Sequence, residues 1–197
     1  MNKIPGYDES PAFTGESQAL PAGKYICVIK GAKDTVSSTG RKQFVLLFDI
    51  AEGDYKGYYN NRYQQDAQRN GTNAKWQGVF RQGYEGKGLP YFHGMMTSIE
   101  ESNAGYKWDW NENGLKGKRI GIVFGREQFR AQDGSLKWAT KPVAVRSIEG
   151  LKNAKVPEDK PLTDAAPSWG VPSPAPTFEN PQQGFYDIDG SEDDLPF

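Results

Sequence analysis

Several stretches of the chain set aromatic rings beside cations: Tyr58-Tyr59-Asn60-Asn61-Arg62-Tyr63, Lys75-Trp76 with Phe80-Arg81, Tyr106-Lys107-Trp108-Asp109-Trp110, Phe129-Arg130 and Lys137-Trp138. A flat ring stacks on an unpaired nucleobase for roughly 1–3 kcal/mol, while Lys or Arg beside it neutralises phosphate without reading sequence. Duplex DNA hides its base faces, so the pairing points to a single strand. On this basis Trp76, Phe80 and Tyr84 lead as base contacts, followed by Trp138, Tyr58 and Tyr63. The phosphate contacts are Arg41, Lys42, Arg62, Lys75, Arg81, Arg130 and Lys141. Some of these rings must fill a core. In a strand alternate residues face opposite ways, so Tyr59 and Tyr63 share one side and Tyr58 and Arg62 the other.

The tools of catalysis are scarce. His93 is the single histidine, with no metal-ligand spacing around it, and is expected on a helix, partly buried or at the surface. Cys27 is the single cysteine, which excludes an intrachain disulfide and a thiolate cluster; its apolar neighbours suggest a packed thiol. The glycines of Gly83-Tyr84-Glu85-Gly86-Lys87-Gly88 lack the Gly-Lys-Ser/Thr ending of a phosphate-binding loop. Glu100 and Glu101 are adjacent, so on a helix they diverge rather than share a proton. The expectation is a protein that is not an enzyme and takes no cofactor.

The net charge of -1 hides an asymmetry. Residues 1–155 hold 23 Lys/Arg against 16 Asp/Glu, and residues 156–197 hold one Lys against nine acids. A basic body suits a polyanion, and the acidic remainder is a weak competitor for the same surface.

Runs rich in β-branched and aromatic residues predict strands at 23–30, 43–50, 57–63, 119–124 and 137–146. Ser37-Ser38-Thr39-Gly40 and Gln132-Asp133-Gly134 supply the turn residues for two hairpins. Between the third and fourth strands, Leu89, Phe92, Met96 and Ile99 recur at spacings of three and four, which predicts one short helix over 89–101. Residues 64–88 read as a polar excursion. The expected fold is all-β: a five-stranded OB-fold barrel, with its helix between strands three and four, followed by a disordered acidic tail.

The expected organisation is an N-terminal extension (1–19), an OB-fold single-stranded DNA-binding domain (20–155), a Pro-rich linker (156–189) and an acidic tip (190–197). Eight of the thirteen prolines fall from Val156 onward, together with few aliphatic residues, so this part cannot bury enough apolar area to offset chain entropy. No apolar run approaches the roughly 18 residues that span a bilayer, and the first residues lack a signal-peptide core. A soluble, cytoplasmic protein with no membrane partner is expected.

The tip sets Asp193, Asp194, Leu195, Pro196 and Phe197 in a row, an aromatic peg beside carboxylates that suits an apolar pocket ringed by Arg or Lys. This ending closely resembles the acidic tip of bacterial single-stranded DNA-binding proteins. The body lacks that family's usual N-terminal strand sequence and carries a longer insert. Leu20-Pro-Ala-Gly-Lys-Tyr25, Phe48-Asp-Ile-Ala-Glu-Gly-Asp-Tyr-Lys-Gly57 and Leu115-Lys-Gly-Lys-Arg-Ile-Gly-Ile-Val-Phe124 are instead similar to a group of phage and prophage replication-module proteins with a divergent OB fold. The resemblance implies binding of single-stranded DNA without sequence preference during replication, recombination or repair, in a bacterial cell or phage-infected host. It also implies a tip that recruits a helicase, nuclease or recombination mediator, and it allows a homo-oligomer. The alternative is a phage adaptor that mimics the tip to capture host replication proteins.

Overall fold

The computed structural model describes residues 19–162. Its elements, in chain order, are β1 (Gly23–Val36), β2 (Lys42–Ile50), α1 (Tyr58–Asn70), β3 (Val79–Gly83), α2 (Leu89–Ser102), β4 (Arg119–Arg130), β5 (Leu136–Arg146) and α3 (Ile148–Asn153). The five strands form one antiparallel sheet in the order β3-β2-β1-β4-β5.

Both expected hairpins are present. Gly40 and Gly134, each at φ 80°, take the left-handed turn positions that glycine enters without a steric penalty. The Ser37 N–H donates to the Arg41 carbonyl at 2.8 Å, and the Ala131 N–H to that of Ser135 at 2.8 Å, closing the two turns.

Alternation places the core. Phe44, Leu46, Phe48 and Ile50 of β2 share one face with Ile120, Ile122 and Phe124 of β4, and all are buried. On β1 the core positions begin as Tyr25, Cys27 and Ile29. A β-bulge between Ile29 and Gly31 then moves the parity, so that Ala32, opposite Leu46, packs on the core. Cys27 has no exposure, and burial pushes its thiol pKa up, as expected of a packed rather than reactive thiol. Phe48 sits at the centre, 5.3 Å from the Tyr59 ring and 5.9 Å from that of Phe124.

Three sequence expectations are corrected. The segment 57–63 is not a strand but the start of α1. Tyrosines favour strands on average, yet here Tyr58 and Arg62 meet at helical spacing, with the guanidinium donating to the Tyr58 hydroxyl at 2.8 Å. Tyr59 is buried, whereas Tyr63, one turn on, is 36% exposed. The polar excursion 64–88 holds the rest of α1 and the true third strand, β3, which pairs with β2 through Gln43 to Leu47. Helices are three rather than one among the described residues, although the sheet remains the main layer.

The helix expected at 89–101 is α2. Phe92, Met96 and Ile99 face the core as its spacing requires and Met95 joins them, while Leu89 is 55% exposed. His93 is exposed on this helix. The sheet is open: β3 and β5 lie at opposite edges, and no ladder joins them among the described residues.

Residues 156–162, expected to begin a linker, lie against β4. Pro157 packs so closely on Gly125 that a Cβ there would come within 2.8 Å of it. The Lys160 N–H donates to the Arg126 carbonyl at 2.9 Å, and the Gln128 N–H to the Lys160 carbonyl at 2.9 Å, satisfying β4 where it runs beyond β1. The expected N-terminal extension before residue 19, the linker beyond 162 and the 190–197 tip lie outside the described residues. No described helix is long and apolar enough to cross a membrane.

Candidate nucleic-acid interface

β4 and β5 continue past the end of β1 as a two-stranded arm, and there the sheet has no core to cover. Register puts Arg126, Gln128, Arg130, Leu136, Trp138 and Thr140 on one face, and Glu127, Phe129, Lys137, Ala139 and Lys141 on the other. Phe129, Leu136 and Trp138 are 41%, 49% and 40% exposed. The Arg126 guanidinium lies over the Trp138 ring, 4.9 Å from its centroid, so a cation covers one π face of a ring that stays 40% exposed. Arg126 also meets Asp159 at 3.2 Å, and Lys141 meets Glu127 at 3.1 Å. The arm's turn is held by Asp133, whose carboxylate accepts the Ser135 hydroxyl and N–H; those bonds lower its pKa.

The other sequence candidates fall into three groups. Tyr63 and Trp76 form a tilted ring pair at 5.7 Å beside α1. The Trp76 indole N–H donates at 3.2 Å to the carbonyls of both Phe48 and Gly78, which fixes that ring's edge against the core and leaves it partly exposed. Tyr58 is half-buried under Arg62, with the guanidinium 5.6 Å from its ring centroid, and its hydroxyl also accepts the Leu20 N–H. Tyr84 packs on Phe92 at 5.7 Å and donates to Asp34 at 2.7 Å. That bond, ahead of burial, raises its pKa to about 12.

Phe80 stands apart from the rest. It is 6% exposed within the core, so its ring does not face solvent. Its neighbour Arg81 is half-buried on the opposite face of β3. Among the cations, Arg41 is exposed at the β1–β2 turn, Lys42 pairs with Glu85 at 3.2 Å, Lys75 is exposed after α1, and Arg130 donates to the Gly134 carbonyl at 3.2 Å. The arm therefore carries Trp138 and Arg130 on one face and Lys141 on the other, whereas Tyr58 and Arg62, and Tyr63 and Trp76, meet on α1.

Two features escaped the candidate set. Arg126 and Phe129 belong to the arm; Phe129-Arg130 stood among the ring–cation pairs of the sequence, whereas Arg126 meets its ring, Trp138, only across the β4–β5 ladder. The second is the loop between α2 and β4, where Trp110 is 77% exposed beside the anchored Trp108. In the same loop Lys118 lies over the Tyr106 ring, 4.5 Å from its centroid.

A cleft of about 530 Å³ opens on the outer face of the sheet, lined by Lys30, Asp49, Glu52, Lys56, Asn60 and Arg119 among others. No aromatic candidate lines it. No group of three metal-ligating side chains occurs among the described residues. Charge over residues 19–162 favours a polyanion, with 23 Lys/Arg against 15 Asp/Glu. The chain matches no protein-family model and no curated protein, so its function is argued from this geometry.

Proposed function

We propose that the chain binds single-stranded DNA without sequence preference and keeps it accessible during replication or recombination. The observation that carries this is the β4–β5 arm, where Arg126 lies over the 40% exposed Trp138 on one face and Phe129, paired across the ladder with Lys137, is 41% exposed on the other. Rings of this kind stack on unpaired bases while the guanidinium groups take phosphate, and neither contact distinguishes one base from another. The cation excess of the body supports the same polyanion.

The fold favours this reading at a finer level. Strand order β3-β2-β1-β4-β5, with a helix between β3 and β4, is the connectivity of an OB-type barrel left open between β3 and β5. Such barrels bind single strands across the sheet and its hairpins. Asp193, Asp194, Leu195, Pro196 and Phe197 supply the second half of the proposal, a peg that recruits a helicase, nuclease or recombination mediator. The proposed activity is binding rather than chemistry.

The test is competition in a mobility-shift assay. A labelled oligo-dT bound by the protein is expected to be displaced by unlabelled single strands of any sequence, but poorly by duplex of equal length. Absence of binding, or equal displacement by duplex, would overturn the proposal.

A further inference from the structure

Trp110 combines two properties that folding alone does not favour. It is the most exposed of the large hydrophobic side chains among the described residues, at 77%. It is also the one described non-glycine residue in the left-handed region, at φ 64°, where a Cβ is strained and glycine is preferred. Burial explains neither the ring nor the backbone.

The surrounding loop presents this ring rather than leaving it loose. On one side the Trp108 N–H donates to Glu100 Oε1 at 2.9 Å, and the Trp108 ring packs edge-on against Phe44 at 5.9 Å. On the other, Asn111 Oδ1 accepts the Asn113 N–H at 3.1 Å and begins a helical turn ending at the fully buried Leu115. Trp110 stands between these anchors, its ring 6.1 Å from Trp108 and tilted 52° to it. The Trp108 indole N–H is buried with no hydrogen-bond partner. The loop thus fixes an exposed indole at a strained backbone position between two anchored segments.

We infer that Trp110 is a second base-stacking station for single-stranded nucleic acid, separate from the arm; the inference rests on the proposed function and adds a site to it. The occupant is a nucleobase because the ring, 77% exposed, offers a flat π face, and the proposed ligand carries unpaired bases that stack on such faces. The flanking charges are mixed: Lys107 is paired with Glu100 at 2.8 Å, and Asp109 and Glu112 lie on either side. The station therefore takes base rather than phosphate, and its energy should not depend on salt.

The experiment compares the full-length protein with Trp110→Ala and Trp110→Phe on oligo-dT and on an abasic oligonucleotide of equal length, at several salt concentrations. Stacking of one base corresponds to a roughly five- to 150-fold loss for Trp110→Ala. That loss is expected on oligo-dT, largely restored by Phe, absent on the abasic strand, and accompanied by an unchanged salt slope. Trp110→Gly relieves the backbone strain, so it is expected to melt no lower than the unaltered protein while binding as weakly as Trp110→Ala. Equal affinities of Trp110→Ala and the unaltered protein for oligo-dT, or an equal loss on the abasic strand, would overturn the inference and leave the proposed function standing. Failure of the unaltered protein to bind oligo-dT would overturn both.

Discussion

Asp49 Oδ1 accepts the backbone N–H of Tyr59 at 3.0 Å, tying the end of β2 to the first turn of α1. The same oxygen accepts the Ile50 N–H at 2.9 Å, and Asp49 is 3% exposed. A carboxylate there answers the unpaired N–H groups and positive dipole end of the helix, which Gly57 enters at φ 74° without a side-chain cap. Asp49→Ala orphans two buried donors and is expected to cost about 3 kcal/mol, whereas Asp49→Asn keeps an acceptor and costs about 1 kcal/mol. Urea midpoints measured at neutral pH check both values.

On the arm the ring and the cation should separate in their salt behaviour. Trp138→Ala removes a stacking face and is expected to weaken oligo-dT binding by roughly 1–3 kcal/mol with the salt slope intact. Arg126→Gln removes one phosphate contact and is expected to lower the slope by about one unit. Affinities measured between low and moderate salt distinguish the two.

Phe80 should behave as a core residue. Phe80→Ala opens a cavity beneath β3 and is expected to cost about 3–4 kcal/mol of stability. Oligo-dT affinity below the melting transition is expected to stay close to that of the unaltered protein. A calorimetric melt beside a binding isotherm makes the comparison.

Glu100 ties the loop that carries Trp110 to α2. Its carboxylate accepts from Lys107 and from the Trp108 N–H, in that order of effect, and its pKa is lowered from the ordinary 4.5. A depressed carboxylate stabilises the fold above its unfolded pKa and loses that contribution as pH falls through the folded value. The melting temperature of the unaltered protein is therefore expected to exceed that of Glu100→Gln at neutral pH, and the gap to close on acidification below about pH 4.5. Thermal melts from pH 7 to pH 3 test the sign.

The most apolar strands were legible in the sequence. Residues 43–50 and 119–124 read correctly because they are short apolar runs rich in β-branched and aromatic residues, and α2 because Phe92, Met96 and Ile99 repeat at helical spacing. The segment 57–63 misled because tyrosine's preference for strands outweighed an i, i+4 pattern of Tyr58 with Arg62, and the partner of the helix start, Asp49, lies on another element. β3 was hidden because its five residues, Val79–Gly83, bury only Phe80 among them. α3 carried a local signal, Ser147 before Ile148 and Leu151 at a spacing of three, and the Ser147 hydroxyl does accept the Gly150 N–H.

For the candidate site, pairing of rings with cations was visible along the chain, but solvent exposure was not. Phe80 and Trp138 sit in similar local sequences, each beside a cation, yet one fills the core and the other stands 40% exposed on the arm. What divides them is the point where β4 and β5 outrun β1, a property of register. Trp110 lay within a marked aromatic–cation stretch, but its exposure depends on a backbone conformation that residue type disfavours, which the sequence pattern does not show.

The most direct measurement is intrinsic tryptophan fluorescence during titration with oligo-dT and with duplex of equal length, each at low and high salt. The expected result is strong quenching by oligo-dT that weakens as salt rises, with little response to duplex, because stacking requires open base faces and phosphate contacts release counterions. No quenching by oligo-dT at low salt, with no retention of the strand on a filter, would contradict single-strand binding by this protein.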